Sequence, residues 1–298
     1  MLNAMTVDVE DWYMTSGLNV PPERWDLCED RVEANTERVL ELLKRTGTKA
    51  TFFVLGYVAE RHPRLIERIA AEGHELGTHG YRHRMLTTMR PEEAVEEILR
   101  TKEMIERISG SRVDMFRAPS WSLAPPLYGV LAELDRAGFR CDSSMQPFRT
   151  PLSGIAGAPV EPFHPVVGGR KLSLVEFPST VLELGGMRIP FAGGLYLRAL
   201  PYPFVREALR RVNRTRPGMV YVHPWELDPE QPRLPAPPHI RFAQYYRLDT
   251  CARKLERMLQ EFSFGTLGAA IAERTFPPIP LDGAPAGAGA AGEKGGGG

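Results

Sequence analysis

The sequence predicts an α/β fold in which parallel strands alternate with helices. Short apolar segments alternate with helical patterns through the first half of the chain, several helical patterns end at a glycine, and charged residues follow nearly every apolar segment. With 298 residues and 43% hydrophobic content, the chain can bury a large core in one domain or two.

The predicted strands appear in chain order. "LNAMTVDV" predicts a buried strand that ends at Asp8, and "KATFFVLG" and "HELGTHG" predict the second and third strands. Further strands are predicted at "VDMFRAP", "GFRCDSS" and, late in the chain, "GMVYVHPWE".

The helices between these strands carry recognisable ends. "RVEANTERVLELLKRTG" places its apolar residues on one face and stops at Gly47, and the next helix begins near Pro63 and stops at Gly73. A third begins at Pro91 with two glutamates in its first turn and ends at Gly110. Further helices are predicted over residues 125–137, in "FVREALRRVNR" and in "LDTCARKLERMLQEF".

The predicted domain covers residues 1–275. Residues 145–200 are rich in proline and glycine with short β-like pieces, so we interpret them as an insertion of loops and hairpins that shapes one rim. Residues 276–298 lack the apolar surface that would offset the entropy of ordering, which predicts a disordered tail.

Composition narrows the class of function. The 37 basic and 37 acidic residues give zero formal net charge, which disfavours nucleic acid and acidic membrane surfaces as partners. The three cysteines are far apart and predict free thiols in a reducing compartment. The first residues do not resemble a signal peptide, and no apolar segment is long enough for a transmembrane span, so we expect a cytoplasmic protein.

Charged and polar residues collect at the predicted strand ends, which is where β/α barrels carry their functional groups. Burying so many of them together is costly unless they bind a metal or one another. The residues are Asp8, Glu10 and Asp11 after the first strand, His79 and His83 after the third, Arg117 and Trp121 after the fourth, Asp142 in the fifth, and His223, Trp225 and Glu226 after the late strand.

Two imidazoles and a carboxylate suit Zn²⁺ or another divalent ion that acts on a bound water. His79 and His83 lie four positions apart, which permits a shared site but does not establish one. A second carboxylate could remove a proton from the water, and a distant histidine could protonate the leaving group. The first strand and His223 supply candidates for these two roles.

Five segments resemble, in order, the five motifs of the polysaccharide deacetylases, the NodB-homology or carbohydrate esterase 4 family. They are "TVDVED", "THGYRH", "FRAPSWS", "FRCDSS" and "VYVHPWE", and the resemblance runs from about residue 3 to residue 268. The D-x-E opening and HGY-x-H are similar to the peptidoglycan deacetylase and allantoinase-like branch. "HPWELDPEQPR" and the segment from "HIRFAQYYRLD" onward resemble the subgroup associated with exosortase (PEP-CTERM) and exopolysaccharide gene clusters.

The resemblance implies an irregular (β/α)7 barrel that hydrolyses N-acetyl groups of amino sugars in an N-acetylated glycan. Carried over by motif, it implies a catalytic base, a partner that positions this base and keeps it ionised, a general acid and a carboxylate paired with that acid. Asp8 is the implied base and Arg117 its partner, and His223 is the implied acid with Asp142 as its paired carboxylate. His79 and His83 are the implied metal ligands.

The first motif departs from the common family pattern of two adjacent aspartates, because Val9 follows Asp8. The carboxylate ligand is then Glu10 or Asp11, with Glu10 favoured. Two alternative functions remain open from the sequence: a metal-independent hydrolase of a cyclic amide, and a glycan-binding pseudoenzyme. Trp121 and Trp225 could be sugar-stacking platforms or packed rim aromatics.

Overall fold

The computed structural model describes residues 1–272 and 274–281. Numbered in chain order, its strands are β1 (Asn3–Val9), β2 (Thr51–Val54), β3 (Glu75–Thr78), β4 (Met115–Phe116), β5 (Cys141–Asp142), β6 (His164–Val167), β7 (Arg170–Lys171), β8 (Val175–Glu176), β9 (Val181–Leu184), β10 (Met187–Pro190), β11 (Met219–Val222), β12 (Phe264–Gly265) and β13 (Pro278–Pro280).

The helices surround the strands. They are α1 (Val32–Thr46), α2 (Gly56–Arg61), α3 (Pro63–Ala71), α4 (Pro91–Ser109), α5 (Tyr128–Arg136), α6 (Gly194–Ala199), α7 (Tyr202–Val212), α8 (Pro238–Tyr245), α9 (Cys251–Glu261) and α10 (Leu267–Ile271). Short 3-10 turns include Pro119–Trp121 and Pro224–Leu227.

The main sheet has eight strands, and every pairing in it is parallel. The strand order is β11-β1-β2-β3-β4-β5-β8, with β12 also beside β1. All seven residues of β1 are buried, as expected for a strand covered on both faces. The sheet is a curled half-barrel covered by helices, so the predicted α/β fold of the NodB-homology (β/α)7 type is confirmed.

The helix ends follow local sequence signals. α1 is followed by Gly47 and α4 by Gly110, both in the left-handed conformation that glycine adopts without strain. Pro63 and Pro91 occupy first-turn positions of α3 and α4. The apolar faces of α1 and α3, including Leu43 and Ile66, pack into the largest core cluster with β1 and β2.

Residues 145–200 contain two hairpins, β6 with β7 and β9 with β10. β8 lies in the same segment but joins the main sheet beside β5. The segment thus forms two hairpins and also adds a strand to the main sheet.

The ordered chain extends past the predicted boundary at residue 275. Pro278–Pro280 pair with β6, and Phe276 and Leu281 are buried, so apolar residues of the predicted tail pack into the fold. The rest of that predicted tail, residues 282–298, lies outside the described residues. Among the residues described, no helix combines the length and apolarity needed to cross a bilayer.

Candidate active site

The parallel sheet brings several of the predicted strand-end residues into one cavity. β1, β3, β4 and β11 end at Val9, Thr78, Phe116 and Val222, so the residues that follow them meet at one edge of the sheet. A cavity of about 610 Å³ opens there. Its lining includes Asp8, Glu10, His79, His83 and His223.

Asp8 and Arg117 form a buried ion pair. Arg117 Nη1 lies 2.6 Å from Asp8 Oδ1, and the two side chains are almost inaccessible to solvent. Arg117 also donates to the Thr6 hydroxyl at 3.0 Å and to the Ser143 carbonyl at 3.3 Å, and Phe53 covers its guanidinium plane. These contacts fix the orientation of the Asp8 carboxylate.

Glu10, His79 and His83 form a compact cluster in which one ligand atom from each lies within 4.8 Å of the other two. His83 Nε2 is 2.9 Å from Glu10 Oε2, and the two imidazole centroids are 5.3 Å apart. The segment between the histidines is a turn rather than a helix, because Gly80 and His83 both adopt positive φ. This strained turn returns the His83 ring to the first imidazole.

The cluster fits a divalent cation. His79 donates from Nδ1 to the Arg117 carbonyl at 2.7 Å, which leaves Nε2 as the free lone pair. Glu10 Oε2 is buried and receives no hydrogen bond within the described part of the chain, although the His83 ring is near. Two imidazole nitrogens and one orphaned carboxylate oxygen are a typical three-ligand set for a catalytic ion. The structure therefore contains a possible divalent-metal site.

Charge within the cluster favours its ligating forms. Burial disfavours ionised Glu10, but the nearby His83, His223 and His79 outweigh it and lower its pKa to about 2. Burial lowers the pKa of His79 to about 4, so this imidazole is neutral near pH 7. Ionised carboxylate and neutral imidazole are the protonation states that bind metals.

His223 follows β11 and lies beside both carboxylates of the first strand. Its Nε2 is 3.8 Å from Asp8 Oδ2 and 3.6 Å from Glu10 Oε1, and its Nδ1 is 3.0 Å from Glu226 Oε2. Burial opposes its protonation, but Glu10, Glu226 and Asp8 prevail and raise its pKa to about 9. An imidazolium at this position can donate a proton at neutral pH.

Glu226 belongs to a buried network that the sequence analysis did not assign. Arg198 Nε lies 2.7 Å from Glu226 Oε1, and the rest of the guanidinium donates to carbonyls at the end of α8, including Ala243 and Tyr246 at 2.6 Å each. Glu226 also accepts from the backbone N–H of His223 at 3.0 Å. The network holds the imidazole of His223 in one orientation.

The predicted pairing of Asp142 with His223 is wrong, because Glu226 occupies that place. Asp142 instead accepts from the Ser144 hydroxyl at 2.6 Å and lies beside Glu176 in the register of β5 and β8. Both carboxyls are buried, and burial raises the pKa of each, so this pair retains a proton. Ser144 in turn accepts from the Ala118 N–H at 2.8 Å and so supports the loop after β4.

Asp11, the other candidate ligand, points away from the cluster. Its Oδ2 accepts from the backbone N–H groups of Arg31 and Val32 at 2.7 and 3.0 Å, and its Oδ1 accepts from that of Trp12 at 2.8 Å. These bonds satisfy the first turn of α1, so Asp11 performs helix capping. Of the two carboxylates left open by the sequence, the structure brings Glu10 to the histidines.

Both candidate tryptophans line the cavity, and both are largely buried. Trp225 stacks on His223 at 5.1 Å between ring centroids and donates to Glu10 Oε1 at 3.1 Å. Trp121 lies with its ring 4.5 Å from the guanidinium carbon of Arg117. The aromatic pair thus encloses the charged groups and lowers their exposure to water.

Two family models match the chain in succession. The polysaccharide deacetylase model matches residues 24–138, and a domain of unknown function, DUF3473, matches residues 143–272.

Curated relatives share the first part of the chain. The peptidoglycan-N-acetylglucosamine deacetylase of Bacillus cereus is 39% identical over 84 residues, which is 28% of this chain and 30% of that protein. The peptidoglycan-N-acetylmuramic acid deacetylase PdaC of Bacillus subtilis is 40% identical over 86 residues, or 29% of this chain and 18% of that protein. The matches therefore span less than a third of either relative.

Solved structures share the fold over most of the chain. A proposed polysaccharide deacetylase from Mycobacterium smegmatis superposes with a TM-score of 0.56 at 20% identity, covering 89% of this chain and 85% of its own. A carbohydrate esterase 4 family pseudoenzyme from Bacillus anthracis gives a TM-score of 0.50 at 15% identity, covering 93% of this chain and 66% of its own.

Proposed function

We propose that this chain, a relative of the polysaccharide deacetylases, is a metal-dependent hydrolase that removes N-acetyl groups from amino sugars. The observation that carries the proposal is the meeting of three kinds of group in one cavity: the Asp8–Arg117 pair, the Glu10–His79–His83 cluster and the protonated His223. A base, a cation site and an acid are the parts that amide hydrolysis requires.

Each residue has a proposed task. Glu10, His79 and His83 hold the ion, for which Zn²⁺ is the expected identity given two imidazoles and one carboxylate. A divalent ion held there would supply Lewis-acid chemistry, namely polarisation of the amide carbonyl and a lower pKa of the attacking water. Asp8, oriented by Arg117, accepts the proton of that water at Oδ2, the oxygen that faces His223.

His223 completes the reaction by returning a proton from Nε2 to the departing amine. Its other nitrogen, Nδ1, lies 3.0 Å from Glu226, so Nε2 is the nitrogen that points to the carboxylates. The proposed substrate is an N-acetylated glycan of a bacterial exopolysaccharide, in keeping with the resemblance of the C-terminal motifs to exopolysaccharide-associated proteins.

The pseudoenzyme alternative is disfavoured because no member of the acid, base and ligand set is replaced by an inert residue. The cyclic-amide alternative requires no metal, so the orphaned Glu10 Oε2 beside two imidazoles favours the metal-dependent reaction.

Acetate release from a panel of N-acetylated glycans, measured with protein of known metal content, tests the proposal. We expect release that EDTA abolishes and Zn²⁺ restores. His79→Ala should lose metal and activity together, whereas Asp8→Asn should lose activity and retain the metal. Full acetate release by Asp8→Asn contradicts the base assignment, and EDTA-resistant turnover of a cyclic amide supports the metal-independent alternative.

A further inference from the structure

A second set of residues lines the cavity beside the charged groups. We call it the cap, and it consists of residues 146–153, 194–196 and 239–244. All three segments lie within residues 143–272, the part matched by the domain of unknown function. The cap therefore contributes to the cavity without supplying any of the groups proposed for hydrolysis.

Three polar side chains of the cap make hydrogen bonds within the protein, and Ser153, Tyr196 and His239 also line the cavity. Gln146 donates to a neighbouring carbonyl at 3.4 Å, and Thr150 donates to the carbonyl of Ser153 at 3.1 Å. Gln244 donates to the carbonyl of Trp12 at 3.1 Å. A sugar hydroxyl placed against Gln146, Thr150 or Gln244 would therefore compete with bonds that these side chains already form.

Three aliphatic side chains of the cap also line the cavity. Leu195 and Ile240 are half-buried, and Leu152 is 48% exposed. A large leucine that lines a cavity beside a catalytic cluster is not explained by packing of the core. These three residues offer an apolar surface continuous with the site of hydrolysis.

The cap is held in place before any ligand arrives. Arg188 of β10 donates to the Pro147 carbonyl at 2.8 Å and to the Ala158 carbonyl at 2.7 Å. The Phe148 ring packs edge-on against Tyr196 at 5.8 Å between centroids. A preformed apolar surface loses little entropy on binding, which favours selectivity.

Resting on the proposed deacetylase function, we propose that the cap selects N-acetylated sugars that carry an apolar substituent next to the acetamido ring. Hydroxyls placed against Leu152, Leu195 and Ile240 would lose water without gaining a partner, whereas methylene groups would gain from leaving water. The three aliphatic side chains of the cap thus favour this class of substrate over a fully hydroxylated glycan.

Calorimetric binding of two synthetic glycosides to the full chain tests the inference independently of turnover. The probes are the hexyl and methyl β-glycosides of N-acetylglucosamine, which share the acetamido sugar and differ only in apolar length. We expect the hexyl glycoside to bind at least ~10-fold more tightly to the wild type, because its methylenes contact the cap. Equal affinities for the two glycosides would overturn the inference.

Three variants test which cap residues produce the preference for the hexyl glycoside over the methyl glycoside. Leu195→Asn and Ile240→Asn should each reduce it to about threefold or less. Leu152→Asn changes an exposed side chain, so it preserves the fold even if the others do not. The matched control is Leu184→Asn, an equally exposed leucine of β9 that does not line the cavity. A preference that survives Leu152→Asn and every other folded cap variant would overturn the assignment to the cap.

Acetate release from the same two glycosides separates the two proposals. If both glycosides bind equally and release acetate with equal efficiency, the deacetylase function is supported and the cap inference is contradicted. Tighter binding of the hexyl glycoside without acetate release from any N-acetylated sugar would support the cap as an apolar binding surface. The same result would contradict the deacetylase function.

Discussion

His223 Nδ1 lies 3.0 Å from Glu226 Oε2, a carboxylate three residues further along the same 3-10 turn. Glu226 is itself fully buried and paired with Arg198 at 2.7 Å. The imidazole that faces the two carboxylates of the first strand is therefore oriented by its own local segment and by α6, rather than by the fifth strand of the sheet.

Glu226→Gln should lower the proposed acetate-release activity and shift the alkaline limit of that activity. The carboxylate helps raise the pKa of His223 to about 9, so its removal lowers that pKa and the general acid loses its proton at a lower pH. We expect kcat to fall by about 10²-fold at pH 8, with the alkaline limb of the profile moved towards neutral pH. The pH profile of kcat measures both effects.

Asp142→Asn is the matched control for this prediction, because Asp142 lies in the buried pair with Glu176. We expect its alkaline limb to remain where the wild type has it. If the alkaline limb shifts in Asp142→Asn and stays unchanged in Glu226→Gln, Asp142 rather than Glu226 is the carboxylate that pairs with His223.

Arg117→Met should destabilise the protein strongly. The substitution leaves the buried Asp8 carboxylate without its 2.6 Å partner and also removes a donor to Thr6. Breaking a buried ion pair on one side costs about 3–5 kcal/mol, since the remaining charge is desolvated and unpaired. Urea unfolding monitored by circular dichroism measures the loss of free energy of unfolding.

The double variant Asp8→Asn with Arg117→Met removes the orphaned charge and should recover part of that stability. A double variant less stable than Arg117→Met alone would show that the pair is not the origin of the loss.

Local patterns in the sequence were sufficient for six strands of the main sheet and for most of the helices. β1 to β5 and β11 lie where apolar segments predicted them, and α1, α3 and α4 begin and end near their proline and glycine signals. α2, α6, α8 and α10 were not predicted, because helices of five to eight residues form through tertiary packing rather than periodicity.

The geometry of the candidate site was predictable where it depends on strand order and not where it depends on side-chain direction. Parallel strands bring Asp8, His79 and His223 to one edge whatever the loops do. The choice between Glu10 and Asp11 depended on which carboxylate faces the first turn of α1, and spacing along the chain does not encode that direction. Glu226 had a local signal, since a glutamate three residues after His223 with proline between them fits a capped turn.

Glu10→Gln and Asp11→Asn should separate the two carboxylates by their effects on metal content. Glu10→Gln removes a ligand from the cluster, and we expect metal affinity to fall by at least ~100-fold in a competitive chelator titration. Asp11→Asn should retain the metal and instead cost about 1 kcal/mol of stability, because it weakens the bonds to the Arg31 and Val32 amides. Loss of metal in Asp11→Asn with retention in Glu10→Gln would reverse the assignment.

Acid should destabilise the fold through His74, a buried imidazole distant from the catalytic cluster. Its Nδ1 accepts from the Ala50 N–H at 3.2 Å, and burial with the nearby Lys49 lowers its pKa from 6.5 to about 4. The unfolded chain therefore binds the proton first, so this contribution is complete above pH 6.5 and is lost as the pH falls towards 4. His74→Gln keeps an acceptor for the amide and does not titrate. Between pH 7 and pH 4 its free energy of unfolding should therefore fall by about 3 kcal/mol less than that of the wild type. Urea unfolding at pH 7 and pH 4 measures the difference, with His239→Gln, an exposed histidine, as the matched control. The same acid sensitivity in His74→Gln and the wild type would show that other groups govern it.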